Sequence, residues 1–149
     1  MKQSFQILVA DDEPLVRRSI QMLLEHDGHV VFAADSGETA LAQLAQRRYD
    51  LVITDFSMPG MHGDQLVGRI REIQPEQPII MATAFVEEYE VFGKGSALVD
   101  AMLLKPFSLI ELREAIERAL APAQPSQALV TPSAAEAQPA PQFMPPPAH

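Results

Sequence analysis

The 149-residue chain has no cysteine, no tryptophan and only two tyrosines, and it sets 11 basic side chains against 20 acidic ones. Without cysteine there is no disulfide framework, zinc finger, iron–sulfur site or thiol nucleophile. No apolar run approaches the roughly 20 residues of a membrane span. Met1-Lys2-Gln3-Ser4 leads straight into a short strand-like run with no signal-peptide core. A cytoplasmic protein with no membrane partner is expected. The shortage of bases leaves a net charge of −9. A field of that sign repels phosphate backbones, and no interleaving of aromatic and basic residues offsets it, so direct nucleic-acid binding is not expected.

Charge is also missing from one end. The stretch Ala121 to His149 holds eight of the 13 prolines, eight alanines, four glutamines and one charged side chain, Glu136. Such a composition cannot bury enough apolar surface to offset chain entropy, so residues 121–149 are predicted to form a disordered tail. Residues 4–120 remain as one domain, long enough for a core of its own.

Within that domain the hydrophobic period switches repeatedly. Short apolar runs at Phe5–Ala10, His29–Ala34, Leu51–Thr54, Pro78–Ala82 and Ala101–Leu104 read as strands. Between them lie helical faces. Val16, Ile20, Leu23 and Leu24 follow Pro14 and close at Gly28; Ala40, Leu41 and Leu44 follow a capping Ser36; Leu66, Val67 and Ile70 run up to Gln74-Pro75. Ser108 and Glu111 form a capping box ahead of Leu109, Leu112, Ile116 and Leu120. Val86–Ala97 is the least regular segment, because Gly93 and Gly95 weaken a helix that Glu87, Glu88 and Glu90 favour. Five strands alternating with five helices predict an α/β fold. It is a flavodoxin-like, doubly wound parallel sheet in the order 2-1-3-4-5, with its ligand crevice where the first and third strands part.

Sites in such sheets form beyond the carboxyl ends of the strands. Here the first strand ends at Asp11-Asp12-Glu13, the third at Asp55, the fourth at Thr83 and the fifth at Lys105. The strand order makes Asp11, Asp12 and Asp55 converge, with Thr83 and Lys105 beyond. A lone strand-end Asp is usually a cap or turn residue, and a lone Thr or Lys is ordinary. Acids, a hydroxyl and an ammonium on four strand ends at once supply what in-line phosphoryl transfer requires: a carboxylate nucleophile, a metal site and donors for the equatorial oxygens. Three crowded carboxylates need a compensating cation, and Mg²⁺ suits an all-oxygen site with few carboxylates.

In these residues the chain resembles the CheY-like receiver domain of two-component response regulators. The marks are Asp11-Asp12-Glu13, Asp55 within Thr54–Gly63, Thr83-Ala84 and Lys105-Pro106-Phe107. The resemblance implies that Asp55 accepts a phosphoryl group from a phosphohistidine of a sensor histidine kinase or a histidine phosphotransfer protein. It further implies that Asp11, Asp12, Asp55 and the Ser57 backbone carbonyl hold Mg²⁺. Lys105 would pair with the carboxylate and then the phosphoryl group, and Thr83 would donate its hydroxyl to a phosphoryl oxygen. Pro106 matches the family's cis peptide, which aims the ammonium. The output surface would be a protein-binding face of the fourth helix, fifth strand and fifth helix.

Met102 departs from the Tyr or Phe that the family often carries three residues before the lysine, so an aromatic switch is not implied. In the family it resembles, the positions of Ser57 and Phe85 tune the lifetime of the phosphoryl group, so the resemblance and the bulk of Phe85 together predict slow autodephosphorylation.

The expected function is that of a single-domain response regulator. It is a signalling switch that catalyses only its own phosphorylation and dephosphorylation, or a carrier in a phosphorelay. Two alternatives stand beside it. One is a receiver module severed from an output domain beyond the tail. The other is an Asp-nucleophile phosphatase, disfavoured because residues 11–13 read Asp-Asp-Glu where an Asp-x-Asp pair is expected.

Overall fold

The computed structural model describes residues 3–95 and 98–121, with residues 91–95 as backbone alone. Each apolar run forms a strand: β1 (Gln6–Ala10), β2 (Val30–Ala34), β3 (Leu51–Asp55), β4 (Ile79–Thr83) and β5 (Ala101–Leu104). Helices α1 (Pro14–His26), α2 (Gly37–Gln46), α3 (Gly63–Ile73), α4 (Val86–Gly95) and α5 (Leu109–Leu120) alternate with them. The strands pair in parallel in the order β2-β1-β3-β4-β5, the expected doubly wound sheet. Of the tail expected to be disordered, only Ala121 lies among the described residues.

Strands β3 and β4 are buried throughout, and β1 is buried after its first residue. Their side chains alternate between two apolar layers. Ile7, Val9, Ile53, Ile80 and Leu103 meet Ile20 and Leu24 of α1 and Leu112 and Ile116 of α5. On the other side Leu8, Val52, Met81 and Met102 meet Leu44 of α2 and Leu66 and Ile70 of α3. Burial on both faces is why these strands read as unbroken apolar runs rather than alternating ones. Right-handed crossovers put α4 on the same side as α2 and α3.

The helix ends follow from local chemistry. Gly28 adopts φ 91°, a conformation costly for any residue with a Cβ. Its N–H donates to the Glu25 carbonyl at 2.9 Å and that of His29 to the Leu24 carbonyl at 3.1 Å, closing α1 in a Schellman motif. Ser36 Oγ accepts from the Thr39 N–H at 3.1 Å and so caps α2. Ser108 and Glu111 exchange bonds of 3.1 and 2.8 Å as a capping box on α5.

The weak Val86–Ala97 segment does form a helix, through Gly95. Each glycine costs it about 1 kcal/mol of propensity, but helices in proteins draw most of their stability from tertiary packing, and α4 lies on β4 and β5. Its exit is pinned by Arg71 at the end of α3, whose Nε donates to the Leu98 carbonyl at 2.8 Å and whose Nη2 reaches Asp100 Oδ2 at 3.1 Å.

Candidate functional site

Strand register brings the predicted residues to one level. Ala10 pairs with Thr54, so Asp11 stands next to Asp55. Asp55 pairs with Ala82 and Thr83 with Leu104, so Thr83 and Lys105 each lie one step beyond on the neighbouring strands. Asp11 is 1% exposed and Asp55 9%. Lys105 Nζ bridges them, donating to Asp11 Oδ2 at 2.8 Å and to Asp55 Oδ1 at 2.9 Å. Asp11 Oδ1 accepts the Glu13 N–H at 2.9 Å, and Arg17 Nη1 donates to the Asp11 carbonyl at 2.7 Å. Asp12 is half-buried, and carboxylate oxygens of Asp11, Asp12 and Asp55 lie within 4.8 Å of one another.

The electrostatics follow from this crowding. Burial pushes the Asp55 carboxyl above its ordinary value; the bond from Lys105 and its charge pull it back, and the charges of Asp11 and Asp12 add to the rise. For Lys105, burial works to lower the value, but the hydrogen bonds to Asp11 and Asp55 and their charges outweigh it and hold the ammonium protonated. One ammonium still faces three carboxylates. The donors are all hard oxygens at the mouth of a crevice, which fits a small divalent cation retaining water and suits no soft metal.

The β3–α3 loop is built tightly around Asp55. A Cβ on Gly63 would lie 2.2 Å from the Asp55 carbonyl oxygen, so only glycine lets α3 begin there. The Gly63 N–H donates to the Phe56 carbonyl at 2.8 Å, and Met58 is buried in the α2–α3 layer. Ser57 is exposed in the span between them. The Lys105–Pro106 peptide is cis.

Thr83 is placed differently. Its side chain is 1% exposed, and its hydroxyl does not turn to Asp55: it donates to Glu88 Oε1 in the first turn of α4 and accepts the Phe85 N–H at 3.1 Å. The Phe85 side chain is 54% exposed. Glu88, Arg17 and the close approach at Gly63 are the parts of this site without a distinct sequence signal. Glu88 reads only as a helix-favouring acid, and Gly63 only as a loop glycine.

The sequence model of the response regulator receiver domain matches residues 7–117. The chain belongs to that family. Response regulator receiver domains are signalling switches, and this receiver is similar to chemotaxis protein CheY-3 of Vibrio cholerae, 33% identical over 121 residues. That match covers 79% of this chain and 93% of CheY-3. It is also 39% identical over 102 residues to transcriptional regulatory protein ResD of Bacillus subtilis, covering 68% of this chain and 42% of ResD. The receiver thus spans less than half of ResD, and a related match spans 12% of sensor histidine kinase AruS of Pseudomonas aeruginosa. Among solved structures it superposes on response regulator protein TrrA from Thermotoga maritima in complex with Mg(2+)-BeF, with a TM-score of 0.71 and 35% identity. That match covers 77% of this chain and 98% of TrrA. Among the described residues, no helix is long and apolar enough to cross a membrane.

Proposed function

We propose that this receiver accepts a phosphoryl group on Asp55 from a phosphohistidine of a sensor histidine kinase or a histidine phosphotransfer protein. The observation that carries the reading is the Lys105 ammonium bridging Asp11 and Asp55, with Asp12 alongside. An Asp55 oxygen attacks phosphorus in line, the P–N bond to the donor imidazole breaks, and the departing nitrogen takes a proton from solvent. Asp11, Asp12, Asp55 and the Ser57 carbonyl would hold Mg²⁺. When bound, that ion offsets charge on the phosphoryl oxygens during transfer. Lys105 has three N–H donors and spends two on Asp11 and Asp55, which leaves one for the incoming group. Buried carboxylates and a protonated lysine keep the nucleophile fixed and the crevice electrostatically strong.

The product carries about two negative charges and three strong acceptors where a carboxylate stood. Thr83 then turns to a phosphoryl oxygen, which alters the α4-β5-α5 face and its contact with a protein target. Output is through that protein contact and not through nucleic acid, and the switch works in the cytoplasm. The receiver unit runs from residue 4 to residue 120.

The match to a minor part of ResD favours a second reading, in which the same module serves an output domain in a longer chain. The position of the reading frame's stop codon separates the two. The primary test is phosphotransfer from a panel of histidine kinases. Label should appear on the wild-type chain and not on Asp55→Asn, and equal labelling of both would overturn the site assignment.

A further inference from the structure

Beyond the acceptor chemistry, one contact ties the site to α4. Thr83 has a single hydroxyl proton, and that proton is donated to Glu88 Oε1. Thr83 Oγ1 in turn accepts from the Phe85 N–H at 3.1 Å, so the hydroxyl is engaged on both sides and buried. It cannot also donate to a group on Asp55. A phosphoryl oxygen and the Glu88 carboxylate therefore compete for one proton.

We propose that Glu88 is a latch that holds Thr83 in the unphosphorylated arrangement, a positioning residue that sets how readily the switch closes. This rests on the reading of Asp55 as the acceptor. A charge-assisted hydrogen bond is among the stronger kinds, so losing it opposes the inward turn of Thr83. The bond also stitches β4 to the first turn of α4. When Thr83 leaves, Glu88 loses its donor at the start of that helix. The exchange thus carries the event at Asp55 into the α4 face.

Reciprocity follows. Any partner that occupies Glu88 with a basic side chain frees Thr83 and strengthens phosphoryl binding by the same factor. The effect is local to Glu88: Glu87 and Glu90 on the same helix are exposed acids.

The rival account is that Glu88 merely caps α4, since Phe85, the residue before the helix, has no side-chain acceptor. The two accounts separate in a double-mutant cycle read with Mg²⁺ and beryllofluoride, titrated by calorimetry on the full chain. In the latch account Glu88→Ala binds beryllofluoride at least about fivefold tighter than wild type, the low end of ordinary coupling. In a Thr83→Ala background the same change has no effect, because the hydroxyl being competed for is gone. Glu88→Gln, which keeps an acceptor without charge, falls between. A second readout needs no ligand. The Thr83 methyl resonance of free Glu88→Ala moves toward its position in loaded wild type.

Unchanged or weaker binding by Glu88→Ala, an equal gain in the Thr83→Ala background, or an unmoved methyl resonance would overturn the latch while leaving Asp55 as acceptor. Wild type that takes up no beryllofluoride, or takes it up equally as Asp55→Asn, would overturn both.

Discussion

On the β1 side of Asp55 the charges are already assembled: Asp11 is buried, its two carboxylate oxygens are engaged, and Lys105 joins it to Asp55. On the β4 side the hydroxyl that the proposed chemistry calls for is committed elsewhere, to Glu88. The difference separates two tasks within one crevice. A nucleophile gains from being held in place before the donor arrives, since positioning is then already accomplished. A switch gains from the opposite, because only contacts that change between states can shift an equilibrium.

The assembled side gives the largest effect when broken. Lys105→Ala leaves two buried carboxylates without their ammonium. Removing one partner of a buried pair typically costs about 3–5 kcal/mol. Lys105 keeps some solvent contact, so we expect a loss of about 2–3 kcal/mol in metal-free protein, at the low end of that range or just below it, measured by urea unfolding. Next comes Gly63→Ala, whose methyl must displace the Asp55 backbone. A loss of about 1–3 kcal/mol is expected, as for overpacked cores, together with slower phosphotransfer. Unchanged stability in either variant would mean that the acceptor is not rigidly held.

Asp55→Asn should act with the opposite sign. Burial and the neighbouring acids disfavour its ionised form, so the neutral amide relieves a penalty. Metal-free Asp55→Asn is therefore expected to be more stable than wild type in urea unfolding. Saturating Mg²⁺ should narrow that gap by stabilising wild type through mass action. A gap that ignores Mg²⁺ would argue against the proposed ion site. The smallest effect belongs to the open side. Phe85→Asn should speed loss of the phosphoryl group a few-fold by admitting water, read as decay of the labelled protein. With its side chain 54% exposed in the unphosphorylated arrangement, any shielding by Phe85 depends on Thr83 turning inward, so Thr83→Ala should abolish the difference.

Much of this arrangement was legible in advance for a physical reason. Strands buried on both faces must be apolar along their length, so the polar residues Asp11, Asp55, Thr83 and Lys105 mark where each apolar run stops and the crevice begins. Parallel pairing then fixes which ends are neighbours. The Val86–Gly95 helix was less legible, because its glycines lower propensity and its stability comes from the sheet beneath it. Neither the bond from Thr83 to Glu88 nor the clamp from Arg71 to Leu98 and Asp100 has a local pattern. Both depend on where α4 and its exit come to rest, which short-range periodicity does not encode.

The missing side chain at Gly63 has a consequence for how such a protein can change. Because α3 starts against the Asp55 carbonyl, and the Gly63 N–H closes back on Phe56, the two ends of the β3–α3 loop meet. What lies between is a closed detour. Exposed positions on it, such as Ser57 and Pro59, are free to vary without shifting the carboxylate at its base. Under the proposed chemistry, side chains on the rim of the loop can therefore change while the Asp55 carboxylate stays where it is. A single absent methyl group thus separates the base of the loop from its rim.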